Sequence, residues 1–245
     1  MERELITLAK KAYEAPARLL PSDLDPIRDI AGDGALDYAL VLGSFHYINR
    51  IADLLQVSPE ALPASLRRFE FLRRITIRVA GFMMAKMNLA NRTYPVNFEE
   101  AVEKLKLFFE NTPKRRLEDE LESLKTRPKL VEVLQLKIED RDRNNSLNRE
   151  ILTKIHRTVE AALPAVVDEA EGFHTHPEDP VEAFAFVGTR YAYRVTEHMI
   201  DTLRQAGYDD TGILDLAIAV ADANQWARIH RLAGLHPDLF YIGTG

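Results

Sequence analysis

GALDYALVLGSFHYINRIADLLQVSPE, residues 34–60, lies without a gap on GILDLAIAVADANQWARIHRLAGLHPD, residues 212–238, when the chain is displaced by 178 positions. Eight of the 27 positions coincide, and many of the rest exchange one apolar residue for another. Two unrelated amphipathic helices would share leucines and alanines. They would less readily share the opening glycine, the Arg50/Arg228 pair and the closing Pro59/Pro237, so a duplicated helical unit is expected. Within the first copy, Leu36, Ala39, Leu40, Phe45, Ile48, Ile51, Leu54 and Leu55 recur at helical spacing, predicting a deeply packed helix over about 35–57. Each copy follows a shorter helix that ends near a glycine, expected over about 23–31 and 196–206.

The same periodicity extends outward, and β-branched alternation is scarce, so the fold class is all-α. An opening helix is predicted over 2–14 and another over 63–91, where Met83, Met84 and Met87 suit core gaps or a helix contact. Residues 95–148 are charge-dense, with Pro113 and Pro128 at first-turn positions of helices over about 98–111, 113–125 and 128–140. Mixed signs at helical spacing read as a solvated helical connector. A helix over 147–171 and a turn-rich stretch over 172–180 follow. The expected organisation is a first helical half over 1–94, the connector over 95–148 and a second half over 149–245.

Composition limits the function. The 245 residues, 46% hydrophobic, suffice for a substantial core. A formal charge of −6 gives no general attraction to nucleic acid or to an anionic membrane. No apolar run approaches the length of a bilayer span, and the start of the chain is unlike a secretory signal, so a cytoplasmic location is expected. The sequence has no cysteine, which removes thiolate nucleophiles, disulfides and cluster ligation together. His174 and His176, with Glu178 and Asp179, lack the helical spacing that fixes two imidazoles on one metal, so no metal and no cofactor is expected.

Residues 195–235, VTEHMIDTLRQAGYDDTGILDLAIAVADANQWARIHRLAGL, resemble the core of the alkylhydroperoxidase D and carboxymuconolactone decarboxylase superfamily, with its Val-Thr helix start and Leu-Arg-x-Ala-Gly turn. Residues 44–74, including Tyr47-Ile48-Asn49-Arg50-Ile51-Ala52-Asp53, resemble the corresponding tail of peroxidase-related members. The resemblance implies an all-helical fold that assembles into homo-oligomers. Peroxide-reducing members carry two cysteines three apart, a histidine four residues on and an acidic residue upstream. Anchored on His198, that pattern places Tyr191 and Arg194 at the cysteine positions and Asp179 near the acidic one, so thiol chemistry is excluded. The decarboxylase branch needs no cysteine pair, only an acid or base and a cationic group for carboxylates.

Two readings stand. In the first, the protein is a cysteine-independent enzyme or binder of a small carboxylated molecule. Its candidate catalytic residues are His198, Tyr191, Arg194 and Asp179, and its candidate ligand-binding residues are His46, Arg50 and Arg228. In the second, it is a non-catalytic oligomeric scaffold. His46 and Arg50, one helical turn apart, can share a face. Each arginine could alternatively serve structure, by pairing with Asp37, Asp215 or Asp222 or by capping a neighbouring helix end.

Overall fold

The computed structural model describes residues 2–56, 147–164 and 177–235. These residues form α1 (Glu2–Glu14), α2 (Asp25–Ala31), α3 (Ala35–Leu54), α4 (Arg149–Ala162), α5 (Pro180–Arg190), α6 (Glu197–Gln205) and α7 (Asp210–Ala233), joined in part by short 3-10 turns. Among the described residues there is no strand, and the all-α class holds. None of these helices is long and apolar enough to cross a membrane. The predicted helix over 63–91 with its three methionines, the charged helices after it, the boundary near residue 94 and the His174–His176 stretch lie outside the described residues.

Helix ends follow local chemistry. Asn148 caps α4 by accepting from the amide of Ile151 at 2.9 Å, and Thr196 caps α6 through the amide of Met199. Asp209 accepts from Gly212 at 2.7 Å and opens α7. Gly234, left-handed at φ 71°, closes it. The helix expected over 147–171 stops at Ala162 because Pro164 forces Leu163 out of helical geometry, to ψ 121°. Helix α3 likewise ends at Leu54, short of the expected residue 57, where Gln56 turns to φ 52°.

The central helix is α7, enclosed by α3, α4 and α5. One apolar cluster joins Ile155 and Val159 of α4, Phe184 and Val187 of α5, Leu203 of α6 and Leu216 and Val220 of α7. A second joins Leu8, Leu24, Ile27, Ala39 and Leu232. Trp226 is buried, as its place on the apolar repeat suggests. Two glycines set the spacing between helices. A Cβ on Gly43 of α3 would lie 2.8 Å from two side-chain atoms of Ile229, and one on Gly188 of α5 would lie 2.8 Å from Leu54 and 3.0 Å from Val220.

The repeat is wider in the backbone than in the sequence. Tyr191 after α5 has φ −144° and ψ 51°, and Ala15 after α1 has φ −143° and ψ 54°. Val195 and Leu19 agree similarly, at −60°, 128° and −65°, 138°. Three turn bonds also correspond: Ala15 to Lys11 with Tyr191 to Val187, Arg18 to Ala15 with Arg194 to Tyr191, and Leu19 to Pro16 with Val195 to Ala192. Helix, 3-10 turn, short helix, glycine and long helix therefore occur twice. The long helices α3 and α7 pack on each other.

Candidate functional site

Where α3 and α7 meet, the repeat brings Arg50 and Arg228 together. Helix α1 ends at Glu14, and Pro16 beyond it has no N–H to continue the ladder, so the carbonyl of Ala12 lacks a helical partner. Arg228 supplies one: its Nε donates to Ala12 O at 3.0 Å, while its Nη1 donates to Asn224 O at 2.8 Å. Arg50 does the same for the other half, with Nη1 donating to the carbonyl of Gly188 in the last turn of α5. Gly188 corresponds to Ala12 when the turns after α1 and α5 are superposed. Each arginine thus caps the first helix of the opposite repeat, α1 or α5, where the helix dipole presents its negative end. Of the structural roles open to these residues, this is helix capping. Among the described residues neither arginine forms an ion pair with a carboxylate, Asp37, Asp215 and Asp222 included.

The two halves differ around this pair. On the α7 side, Asn224 is fully buried and its amide nitrogen donates to Thr189 Oγ1 and Val220 O, both at 3.0 Å. Arg228 is 1% exposed. On the α3 side, the position of Asn224 is taken by His46, which keeps partial exposure, as does Arg50. No hydrogen bond engages the His46 ring among the described residues. Burial first, then the positive charges of Arg228 and Arg50, push the His46 imidazole down to about 3, so it is neutral at pH 7. Burial likewise lowers Arg50 to about 10, against the attraction of Asp53 and Tyr13. Arg228 is lowered by burial and by Arg50 and Arg231. The three expected ligand-binding residues therefore form one electropositive cluster at the seam, half closed and half open.

The expected catalytic residues are distributed differently. Asp179 opens α5: its Oδ1 accepts from Val181 and Glu182 at 3.0 Å, and its Oδ2 pairs with Lys154 at 2.7 Å. Tyr191 is buried at the opposite end of that 11-residue helix, roughly 18 Å away by the helical rise. The guanidinium of Arg194 lies 4.9 Å from the Tyr191 ring centroid and 5.4 Å from that of exposed Tyr193, in cation–π contact. His198 is exposed in the first turn of α6, and its carbonyl accepts from Thr202 at 2.8 Å. The structure thus joins Tyr191 with Arg194 and separates Asp179 from both.

Sequence reasoning missed a further polar cluster. His230 Nε2 lies 2.7 Å from Glu160 Oε1, and Arg231 grips both oxygens of the same carboxylate, tying α7 to α4. Burial works to raise Glu160, but the bonds from His230 and Arg231 outweigh it and bring the carboxyl to about 2. The signal was adjacent basic residues on an apolar helix, and nothing in the spacing pointed to Glu160 as their partner. No protein-family model, no curated protein and no solved structure matches the chain.

Proposed function

We propose that the protein binds a small carboxylated molecule at the seam of α3 and α7, on the side of His46 and Arg50, with buried Arg228 supplying charge from behind. The supporting observation is electrostatic: two guanidiniums and an imidazole lie at the contact of α3 and α7, near enough to act on one another, and among the described residues none forms an ion pair. Asp53 and Glu160 act on this positive charge only from a distance, and an anionic ligand would offset more of the cost of burying it. Each arginine retains N–H groups beyond those spent on helix carbonyls, suited to a carboxylate. The reading belongs with the resemblance to the decarboxylase branch of the alkylhydroperoxidase-like superfamily, which needs no cysteine pair. The test is titration with benzoate, using benzyl alcohol and benzylamine as neutral and cationic controls. Binding of benzoate alone, lost on Arg50→Met, is expected. Equal response to all three would refute the site.

A second reading, the oligomeric scaffold, is favoured by a separate feature. Val41, Phe45 and Ile48 form an exposed apolar stripe along α3, 67%, 63% and 54% accessible, on the side away from α7. Sedimentation of the protein and of Phe45→Glu tests it. An oligomer dissociated by the substitution supports the stripe as a self-association face, and an unchanged monomer removes it.

A further inference from the structure

The symmetry that exchanges the two arginines fails at one layer of helices. A shift of 178 positions sets Val41, Phe45 and Ile48 of α3 on Ala219, Ala223 and Trp226 of α7. The three on α7 are buried, and Ala219 and Ala223 join Ile155 and Val159 of α4 in one apolar cluster. Helix α4 is fastened there by Glu160, which His230 and Arg231 of α7 engage. On α3 the matching stripe stands exposed. We propose that the stripe seats residues 63–91 of this same chain, which cover α3 as α4 covers α7.

The path of the chain, the charge on α3 and the area of the stripe all select that occupant. Helix α3 ends at Leu54, Gln56 turns at φ 52°, and its Nε2 donates to Val195 O at 2.7 Å, which fixes where the chain leaves the helix. Residues 57–146 lie outside the described residues, and the seven steps from Gln56 to Pro63 span at most about 25 Å when extended, so position 63 starts within reach of the stripe. Where α7 offers His230 and Arg231 to Glu160, the matching positions of α3 are Ala52 and Asp53. Asp53 is exposed and forms no ion pair among the described residues, so a covering helix complements it by being basic where α4 is acidic. Residues 63–91 carry six basic residues and one acid, and at helical spacing Phe69, Leu72, Val79 and Met83 share a face with Arg68 at its flank. Covering the stripe strands no polar group: the Ser44 hydroxyl within it already donates to Leu40 O and accepts from Gln225.

A second copy fits less well. The exposed parts of Val41, Phe45 and Ile48 amount to roughly 300 Å², against about 800 Å² per partner in a stable dimer. An antiparallel pairing of two α3 helices about Phe45 also sets Asp37 of each copy level with Asp53 of the other, like charge against like. The proposal leaves the carboxylate reading untouched and competes with the scaffold reading for the stripe.

A chain without cysteine makes the test direct, because any introduced thiol is the sole one. Phe45→Cys and Ile48→Cys are made singly in the full chain, and the reaction of each thiol with dithiobis(nitrobenzoate) is timed in folded protein and in urea. Cover by residues 63–91 is expected to slow both thiols at least about tenfold relative to the unfolded chain, in protein that sediments as a monomer. Adding Leu72→Asp, or Leu72→Gln if the first variant loses its helical circular dichroism, should return most of the reactivity. Thiols that react as fast folded as unfolded would overturn the proposal. Protection that the Leu72 substitution does not relieve would overturn it too. So would protection in a dimer whose Phe45→Cys thiols join between chains on oxidation, and that result would seat a second copy on α3 instead.

Discussion

Arg50 and Arg228 hold the same position in the two repeats, and each donates a hydrogen bond to the first helix of the other repeat. Arg228 reaches Ala12 in α1, and Arg50 reaches Gly188 in α5. The exchange closes two helix termini and draws two like charges into one place, so it serves the fold and sets up the site at once. His46 on one side and Asn224 on the other decide which half of that place stays open.

The two arginines should differ in what they contribute to stability. Arg228 is buried and makes two good backbone bonds through different nitrogens, which a lysine cannot reproduce. Arg228→Lys is expected to cost about 1–3 kcal/mol in urea unfolding. Arg50→Lys, at the partly exposed position with one such bond, should cost clearly less. Equal losses would contradict the asymmetry of the seam.

Helix spacing gives a second expectation. Alanine normally favours a helix over glycine by about 1 kcal/mol. At Gly188 its Cβ would meet Leu54 at 2.8 Å and the stiff Val220 at 3.0 Å. Gly188→Ala should therefore destabilise by about 1–3 kcal/mol, and pairing it with Val220→Ala should recover part of the loss. A thermal midpoint at or above wild type in the single variant would show that α5 can withdraw from α7 without cost.

The sequence made much of this legible, and the limits have physical causes. The opening helix ends at Glu14 as its periodicity predicts, and Thr196 caps α6. Sliding the chain on itself places Arg50 against Arg228 because long buried helices must keep their apolar stripe. That comparison did not extend to α1 and α5, whose turns share backbone angles but almost no residue types. The helix-capping role of the arginines was open from the sequence, but the acceptors were not, since a carbonyl carries no sequence signature. Glu160 was invisible for a related reason: its partners are 70 and 71 residues away.

Acid should destabilise the protein in two separable stages. Glu160 is lowered from 4.5 to about 2, so its contribution is complete above about 4.5 and is lost as pH falls through about 2. His46 is lowered from 6.5 to about 3, which favours the folded state above about 6.5 and is lost between those values as the unfolded chain binds protons. Buried His230, lowered by desolvation, acts in the same direction as His46. Unfolding free energy measured from neutral to acid pH should therefore begin to fall near pH 6.5. His46→Asn should flatten the upper stage, and Glu160→Gln should lower stability at neutral pH while flattening the lower one. Unchanged upper-stage slopes in His46→Asn would mean that the imidazole titrates normally in the folded protein.

Asp179 allows structural and chemical roles to be told apart in one residue. Its Oδ1 caps α5 and its Oδ2 holds Lys154 of α4, and burial is outweighed by that lysine in keeping the carboxyl below its ordinary value. Asparagine retains the capping oxygen and gives up only a half-exposed ion pair, which is worth little. Alanine loses both, and the cap alone is worth about 1 kcal/mol. Unfolding should therefore rank wild type, Asp179→Asn and Asp179→Ala in falling order, with benzoate affinity at the distant seam unchanged. Loss of binding in a stably folded Asp179→Asn would instead couple the N-terminus of α5 to the ligand, and it would restore Asp179 to the chemistry of the site.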